Sequence, residues 1–238
     1  MFKNETLKKY QDNMRKKIAE LTAIARKNPD TLKTHFSNGN SKIGKVLNVS
    51  TAPVFTCHNC DGCRGFCYDI KACLQYTNTV LPARAENTVL AIHYRDKFFD
   101  EIEKKLKRRR AHKFFRWHVG GEIIDFDYFC RMVEVAKKFP DFYFWTYTKM
   151  YTIVNMYVEK YGRDAIPKNF TIMFSEWDGM PIYNPYNFPV FSCKLKAGNK
   201  NHTPDYFNNL WKCPGNRDIC KKAGRGCMAA ENTYADEH

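Results

Sequence analysis

Apolar residues recur at two different periods along this chain, and the period changes near residue 45. Over residues 4–27 they return at steps of three and four, with Lys, Arg and Glu between them, which predicts one amphipathic helix. Asn28-Pro29-Asp30 should end it. We expect residues 1–35 to form an N-terminal helical appendage that lies against the main domain, with an oligomerisation helix as the alternative.

From residue 45 onward, strand and helix patterns alternate. Short β-branched and aromatic runs predict strands, longer runs of period 3.6 predict helices between them, and a polar loop precedes them at 37–44. Such alternation indicates βα units, so residues 36–238 should form one α/β domain with a parallel sheet and a Cys-rich C-terminal segment. The predicted strands are 45–50, 113–119, 142–148, 169–175 and 189–192, and the predicted helices are 84–110, 126–139 and 151–161.

Polar groups follow the predicted strands where each strand ends. A cysteine run comes after Ser50, Gly120-Gly121-Glu122 follows the second strand, Lys149 the third and Ser175 the fourth, and Cys193 follows the last. Chemistry in parallel α/β proteins gathers at the carboxyl ends of the strands. The sequence therefore predicts one active or metal-binding face.

Eight of the ten cysteines are concentrated in two stretches. The first contains Cys57, Cys60, Cys63, Cys67 and Cys73, and the spacing of its first four members is that of bacterial ferredoxins, although Tyr68 stands where those have proline. Alternatively, three thiolates from Cys57, Cys63 and Cys67 hold a four-iron cluster, with one iron left open. Zinc is the main competitor of iron–sulfur at this run.

The second stretch carries Cys213, Cys220 and Cys227. Cys193 is a candidate fourth ligand, and either zinc or a second iron–sulfur cluster would suit such a site. Cys130 falls on the apolar face of a predicted helix, where a core role is expected.

Gly120, Gly121 and Glu122 admit two interpretations. Two glycines let a ligand approach the backbone, and the carboxylate can accept hydrogen bonds from an ammonium group. Equally, they can form a strand-to-helix turn. Lys149 would bind an anion or simply be exposed, and Arg116 and His118 should point to one side of their strand because side chains alternate.

Composition limits the partners and the compartment. No run approaches the length of a membrane span, and the polar start lacks the apolar stretch of a signal peptide, so we expect a cytoplasmic protein with reduced thiols. The net charge of +14 favours nucleic acid or another polyanion. The densest basic run, 104–113, also suits a helix C-terminus, where cations are stabilising.

These motifs together resemble the phage gene product 88 family of uncharacterised proteins. The resemblance rests on N40-S-K-I-G-K-V, Cys57…Cys63-x3-Cys67, R116-W-H-V-G-G-E122, Y147-T-K149 and the final Cys213…Cys220…Cys227, and it spans about residues 36–230. It implies a phage or prophage origin, and hence the cytoplasm of a bacterial host.

A partial resemblance links the chain to radical S-adenosylmethionine enzymes. It implies a partial (β/α) barrel-like sheet, a four-iron cluster on three cysteines after the first strand, and a cofactor held at Gly120, Gly121 and Glu122. The family's C-x3-C-x2-C spacing is absent, because the position three beyond Cys67 is Ile70, so Cys57 or Cys73 must supply the third thiolate.

Two functions therefore stand. One is an iron–sulfur protein, of the kind that uses S-adenosylmethionine, with its cluster at the carboxyl ends of the strands. The other is a zinc-stabilised basic protein that binds nucleic acid without catalysis. No P-loop, dinucleotide fingerprint or Ser/His/Asp arrangement suggests another chemistry.

Overall fold

Strands from the whole length of the domain join in one sheet in the computed structural model, which describes residues 4–40, 44–215 and 217–236. The order across the sheet is β1-β2-β3-β4-β5-β6-β8-β7, and every pair is parallel except β1 with β2. The strands are β1 Phe36–Asn40, β2 Gly44–Val49, β3 Phe114–Trp117, β4 Tyr143–Thr148, β5 Phe170–Ser175, β6 Val190–Lys194, β7 Trp211–Lys212 and β8 Thr233–Asp236.

Strands β2 to β6 lie side by side in chain order, which is the arrangement of consecutive βα units in a (β/α) barrel. The sheet has two outer strands, β1 and β7, and is therefore open, which is compatible with a partial barrel. The predicted α/β class with a mostly parallel sheet is confirmed. The helices are α1 Asn4–Lys27, α2 Tyr68–Gln75, α3 Val80–His93, α4 Arg95–Arg108, α5 Phe126–Lys138, α6 Tyr151–Tyr161 and α7 Arg217–Ala223.

The main core lies between one face of the sheet and the helices α3 to α6. Alternating strand residues such as Phe115, Trp117 and Phe144 are fully buried there among apolar side chains of these helices. Burial of so many aromatic rings is the dominant stabilising contribution of the fold. The pattern of alternation is why the sequence identified these strands.

Helix α1 packs against α2 and α3 beside the loop that follows β2. Its Tyr10 and Met14 are completely buried in a second apolar cluster with Ile70 and Cys73, and the Tyr10 hydroxyl donates to the Pro53 carbonyl over 2.7 Å. The predicted helix 4–27 is confirmed at both ends. Its contacts tie the N-terminal segment to the cysteine-bearing loop.

The structure corrects two predicted elements. The predicted helix 84–110 is two helices, α3 and α4, separated at Tyr94, whose φ of −135° and ψ of 50° are not helical. The predicted polar loop 37–44 contains most of β1, although residues 41–43 of it lie outside the described residues. Here Gly39, with φ of +90°, lets the two strands approach closely in spite of their polar sequence.

Four further elements carry no clear period in the sequence. Helix α2 follows Cys67 within the first cysteine run, α7 lies within the second, and β7 and β8 flank the second. None of the helices in the parts of the chain that the structure describes is long and apolar enough to cross a membrane.

Candidate functional site

The carboxyl ends of β3, β4 and β5 are joined by a network of polar contacts. Glu122, just after β3, accepts hydrogen bonds from the Thr148 hydroxyl at 2.7 Å and from the backbone N–H of Lys149 at 2.9 Å. The Lys149 ammonium lies 3.2 Å from the hydroxyl of Ser175, at the end of β5. Glu122, Lys149 and Ser175 therefore meet at the carboxyl ends of three strands, and an active or metal-binding role of this end of the sheet stays a prediction.

Glu122 is a buried carboxyl group, with 8 % of the residue exposed. Burial raises its pKa, and this effect outweighs the opposing influence of the Lys149 ammonium and of the hydrogen bond from Thr148. In the structure both carboxyl oxygens of Glu122 accept hydrogen bonds from residues at the end of β4, and these bonds hold the ends of β3 and β4 together.

Both glycines before Glu122 are required by close packing. A Cβ on Gly120 would lie 1.7 Å from Oδ2 of Asp69, and one on Gly121, whose φ is +81°, would lie 2.0 Å from Oγ1 of Thr51. The space next to these glycines is thus filled by the loop after β2 and by α2. A packing reason exists for each of them, and a role toward a cofactor stays a prediction.

The first cysteine run forms a loop and a short 3-10 turn between β2 and α2. Backbone N–H groups of Cys63 and Arg64 both donate to the Cys60 carbonyl, at 3.1 and 2.8 Å. Burial, and secondly the Glu122 carboxyl group, raise the pKa of the Cys57 thiol. Cys57 therefore lies beside the network at the strand ends, as its place in the sequence predicts.

Cys67 is the residue that caps the N-terminus of α2. Burial raises the pKa of its thiol to about 11, although hydrogen bonds from the backbone N–H groups of Ile70 and Asp69 favour the thiolate. The neighbouring Cys63 thiol also raises this pKa. Cys57 and Cys63 therefore each lie within electrostatic range of Cys67, whose sulfur lies near the first backbone N–H groups of α2.

The loop after β5 covers the cysteine loop. A Cβ on Gly62 would lie 2.6 Å from the sulfur of Met180 and 2.7 Å from the ring of Trp177. The Phe66 ring lies 5.6 Å from that of Trp177, and the Asn59 side-chain amide donates to the carbonyl of Lys149 over 3.2 Å. These contacts hold the cysteine loop against the ends of β4 and β5.

A buried ion pair that the sequence analysis missed fixes the orientation of α2. Asp69 accepts two hydrogen bonds of 3.0 Å from the guanidinium of Arg84 on α3, and both side chains are largely buried. An acidic residue in the first turn after Cys67 was the available signal. Cys73, in the last turn of α2, is fully buried, and burial raises its thiol pKa to about 12.

The second cysteine group reaches the other face of the sheet. The carbonyl of Cys227 accepts a 2.7 Å hydrogen bond from the Tyr143 hydroxyl. The sulfur of Cys227 accepts a hydrogen bond from the Tyr147 hydroxyl. Burial raises the pKa of the Cys227 thiol, and so do the Cys220 and Cys213 thiols, while Arg116 lowers it. The three predicted thiols of this run therefore lie in one neighbourhood.

Two further cysteines complete the set. Cys193 lies on β6 opposite Ala235 of β8. The carbonyl of Tyr234, the residue before Ala235 on β8, accepts a 2.7 Å hydrogen bond from the backbone N–H of Cys213. Cys193 is thus close in the sheet to the second group. Cys130 is partly buried against the main core, as its position on a helical face predicted.

Within residues 4–40, 44–215 and 217–236, no three His, Cys, Asp or Glu side chains lie close enough together to hold a metal ion. The thiols of each run are neighbours, but they are not assembled as ligands. The metal roles of both cysteine groups stay predictions.

Arg116 and His118 do not share a face, which corrects the prediction from strand alternation. The strand ends at Trp117, and His118 has a φ of +53° that turns its imidazole toward α5, where Nε2 lies 3.0 Å from the Tyr128 hydroxyl. The Arg116 guanidinium instead lies over the Tyr147 ring, 5.0 Å from its centre, on the opposite face.

A second polar cluster, beyond β5, also escaped the sequence analysis. Glu176 accepts a 2.6 Å hydrogen bond from the Ser192 hydroxyl and lies 2.8 Å from Nε2 of His202. The imidazole of His202 stacks on Tyr206 with ring centres 3.6 Å apart. Only the fold brings together residues so far apart in sequence, so no local signal existed.

The sequence model of the Gene product 88 family matches residues 6–187. The chain belongs to the Gene product 88 family. This match includes α1, which the motif resemblance left outside, and ends before the second cysteine group. It covers Cys57, Cys63, Cys67, the Gly120–Glu122 segment and Lys149. Neither a curated protein nor a solved structure matches the chain.

Proposed function

We propose that this Gene product 88 protein is an iron–sulfur protein whose first cluster is held by Cys57, Cys63 and Cys67. The observation that carries the proposal is the position of these thiols. They lie in a loop that is packed onto the joined ends of β3, β4 and β5, where parallel α/β proteins place their chemistry.

The residues present fit a thiolate-ligated cluster by their donor chemistry. Clustered thiols are the preferred ligands of iron–sulfur clusters, and a helix N-terminus such as the one at Cys67 favours a thiolate. Because these thiols are not assembled as ligands, the loop 57–67 has to draw them together when it takes up iron. Cys60 is the spare thiol nearest to them in the chain.

A cluster with three thiolates would supply electrons and one open iron, to which S-adenosylmethionine binds in radical S-adenosylmethionine enzymes. Toward such a cofactor, the Glu122 carboxylate would accept hydrogen bonds from an ammonium group and the Lys149 ammonium would attract a carboxylate. Asp69 and Thr51 fill the space beside Gly120 and Gly121, so the cofactor would have to displace these side chains to reach the backbone there. Reduced thiols are needed, so we propose that the protein acts in the cytoplasm, that of a bacterial host if phage-encoded.

The second group, Cys213, Cys220 and Cys227, is proposed as a separate metal site, for a second cluster or for zinc. Its three thiols are neighbours on the face of the sheet opposite to the main core. Hydrogen bonds from the Tyr143 hydroxyl to its carbonyl and from the Tyr147 hydroxyl to its sulfur would hold Cys227 in place.

Purification without oxygen tests the proposal through colour and metal content. We expect a brown protein with broad absorption near ~400 nm and iron and sulfide in equal amounts. Replacement of Cys57, Cys63 or Cys67 by serine should abolish the first cluster, whereas the control Cys130→Ser should keep it. Cys213→Ser separates the two sites, because it should affect only the metal of the second group. A colourless protein with stoichiometric zinc would contradict the iron–sulfur proposal.

A zinc-stabilised basic protein that binds nucleic acid remains the second candidate function. The observation in its favour is the net charge of +14. Ion pairs within the fold leave this charge unchanged, because each pair uses one positive and one negative group, and a polyanion would neutralise it. Contact with nucleic acid is compatible with either metal, so the two proposals can fail separately.

A further inference from the structure

A group of exposed cations lies at the amino-terminal edge of the sheet, on the side away from the cysteine loop. Helices α4 and α5 end there, and β2 to β5 begin there, in register with one another. We call this surface the basic edge. Its exposed cations are Lys45, Lys107, Arg108, Arg110, Lys137, Lys168 and Lys221.

Contacts within the structure show that these segments are adjacent. The Arg109 guanidinium donates to the carbonyl of Lys45 over 3.0 Å, which ties the end of α4 to β2. Lys138 at the end of α5 lies 2.7 Å from Glu103 of α4. The Lys221 ammonium lies over the Phe114 ring, 5.4 Å from its centre, at the start of β3.

The carboxylates next to the basic run are already used. Glu103 pairs with Lys138, and Asp141 pairs with Lys113 at 3.0 Å. In the parts of the chain that the structure describes, neither Arg108 nor Arg110 takes part in a salt bridge. Asp164, before β5, is an exposed carboxylate at the far end of this surface.

Helix stability explains only part of this charge. Cations in the last turns of α4 and α5 stabilise their helices through the helix dipole. Lys45, Arg110 and Lys168 lie outside the helices and receive no such benefit. Their mutual repulsion is unfavourable unless a polyanion binds.

We propose that the basic edge is a nucleic-acid docking surface that contacts the phosphate backbone. This inference rests on the nucleic-acid contact proposed above and adds the surface that makes it. Exposed guanidinium groups suit phosphates, and the run 104–113 contains no Phe, Tyr or Trp ring on which bases could stack. Binding is therefore independent of the base sequence of the nucleic acid. An anionic membrane fits less well, because this run also lacks an exposed apolar anchor.

A salt titration with matched variants tests the surface. Binding of a fluorescent DNA duplex of about 20 base pairs is followed by anisotropy at several salt concentrations. Arg108→Gln/Arg110→Gln should reduce the slope of log affinity against log salt by about 1.8, since each lost phosphate contact accounts for about 0.9. Lys8→Gln/Lys9→Gln removes the same charge from exposed positions of α1, near the opposite edge, and should leave the slope unchanged.

Each other outcome overturns the proposal in a distinct way. Equal losses in both variants would mean that binding follows net charge and not this surface. Absence of salt-dependent binding in the unchanged protein would remove the nucleic-acid partner itself, and the iron content would still report on the cysteine proposal. Tighter, edge-dependent binding to phosphatidylserine vesicles would assign the surface to a membrane. If the arginine variant unfolds more readily, Lys137→Gln/Lys168→Gln provides the same comparison.

Discussion

His118 shows how one residue departs from the strand that precedes it. Its backbone turns into the left-handed region, and its imidazole is buried against Tyr128, with 3 % of the residue exposed. Burial and, secondly, the Arg116 guanidinium lower the pKa of His118 to about 3. The imidazole is therefore neutral in the folded protein down to acidic pH.

This lowered pKa predicts a loss of stability as the pH falls. The unfolded chain takes up the proton near its ordinary pKa of ~6.5, whereas the folded protein does not, so the free energy of unfolding falls below that pH. Between pH 7 and pH 5 the contribution of His118 is a loss of about 2 kcal/mol. Urea denaturation at both pH values should show that the free energy of unfolding of His118→Gln falls by about 2 kcal/mol less between pH 7 and pH 5 than that of the unchanged protein.

The exposed His93 provides the control for this measurement. His93→Gln should keep the pH dependence of the unchanged protein. If His118→Gln and His93→Gln lose the same stability between pH 7 and pH 5, His118 does not titrate as its environment indicates.

At the scale of elements, most strands and helices could be predicted because their apolar period is set by their own burial. Helices α1, α5 and α6 and strands β2 to β6 were found with nearly their observed limits. Helix α2, β7 and β8 were missed because each is too short to show a clear apolar period and lies in or beside a cysteine run. The prediction of one continuous helix over 84–110 was wrong. Helices α3 and α4 both carry apolar faces, and Tyr94, where they separate, gives no local signal of a break.

The packing of the cysteine loop onto the end of β3 predicts a large effect at Gly121. Gly121→Ala adds a methyl group 2.0 Å from Oγ1 of Thr51 in a left-handed conformation. We expect a loss of about 3 kcal/mol or more in the free energy of unfolding, measured in urea, from overpacking and backbone strain together.

Gly198 separates these two causes. Its φ of +87° is similar, but no atom lies within 4 Å of the added Cβ, so Gly198→Ala should cost only the backbone strain of about 1 kcal/mol. Equal losses at Gly121 and Gly198 would show that the loop does not press on the end of β3.

At the scale of the whole molecule, α1 belongs to the same packed structure as the cysteine loop. Met14 of α1 is fully buried in the second apolar cluster, with Ile70 and Cys73 of α2, whereas Met156 on α6 is 47 % exposed. Met14→Ala should lower the free energy of unfolding by about 2–4 kcal/mol in a single transition, because it leaves a cavity in a shared core.

Met156→Ala, at the exposed position, should change the stability by less than ~0.5 kcal/mol. A separate early transition in Met14→Ala, with the main one unchanged, would instead show that α1 is an independent appendage. Denaturant curves followed by both far-ultraviolet circular dichroism and tryptophan fluorescence distinguish these outcomes.

Local patterns were sufficient for the strands, the amphipathic helix α1 and the placing of Cys57, Glu122 and Lys149 at strand ends, because alternation and helical period reflect burial directly. The partners of those residues were decided by the tertiary structure. Asp69 reaches Arg84, and Glu176 reaches His202, across separations that no sequence period spans. The glycines before Glu122 are explained by side chains that fold back onto them, which only a packed structure brings into place.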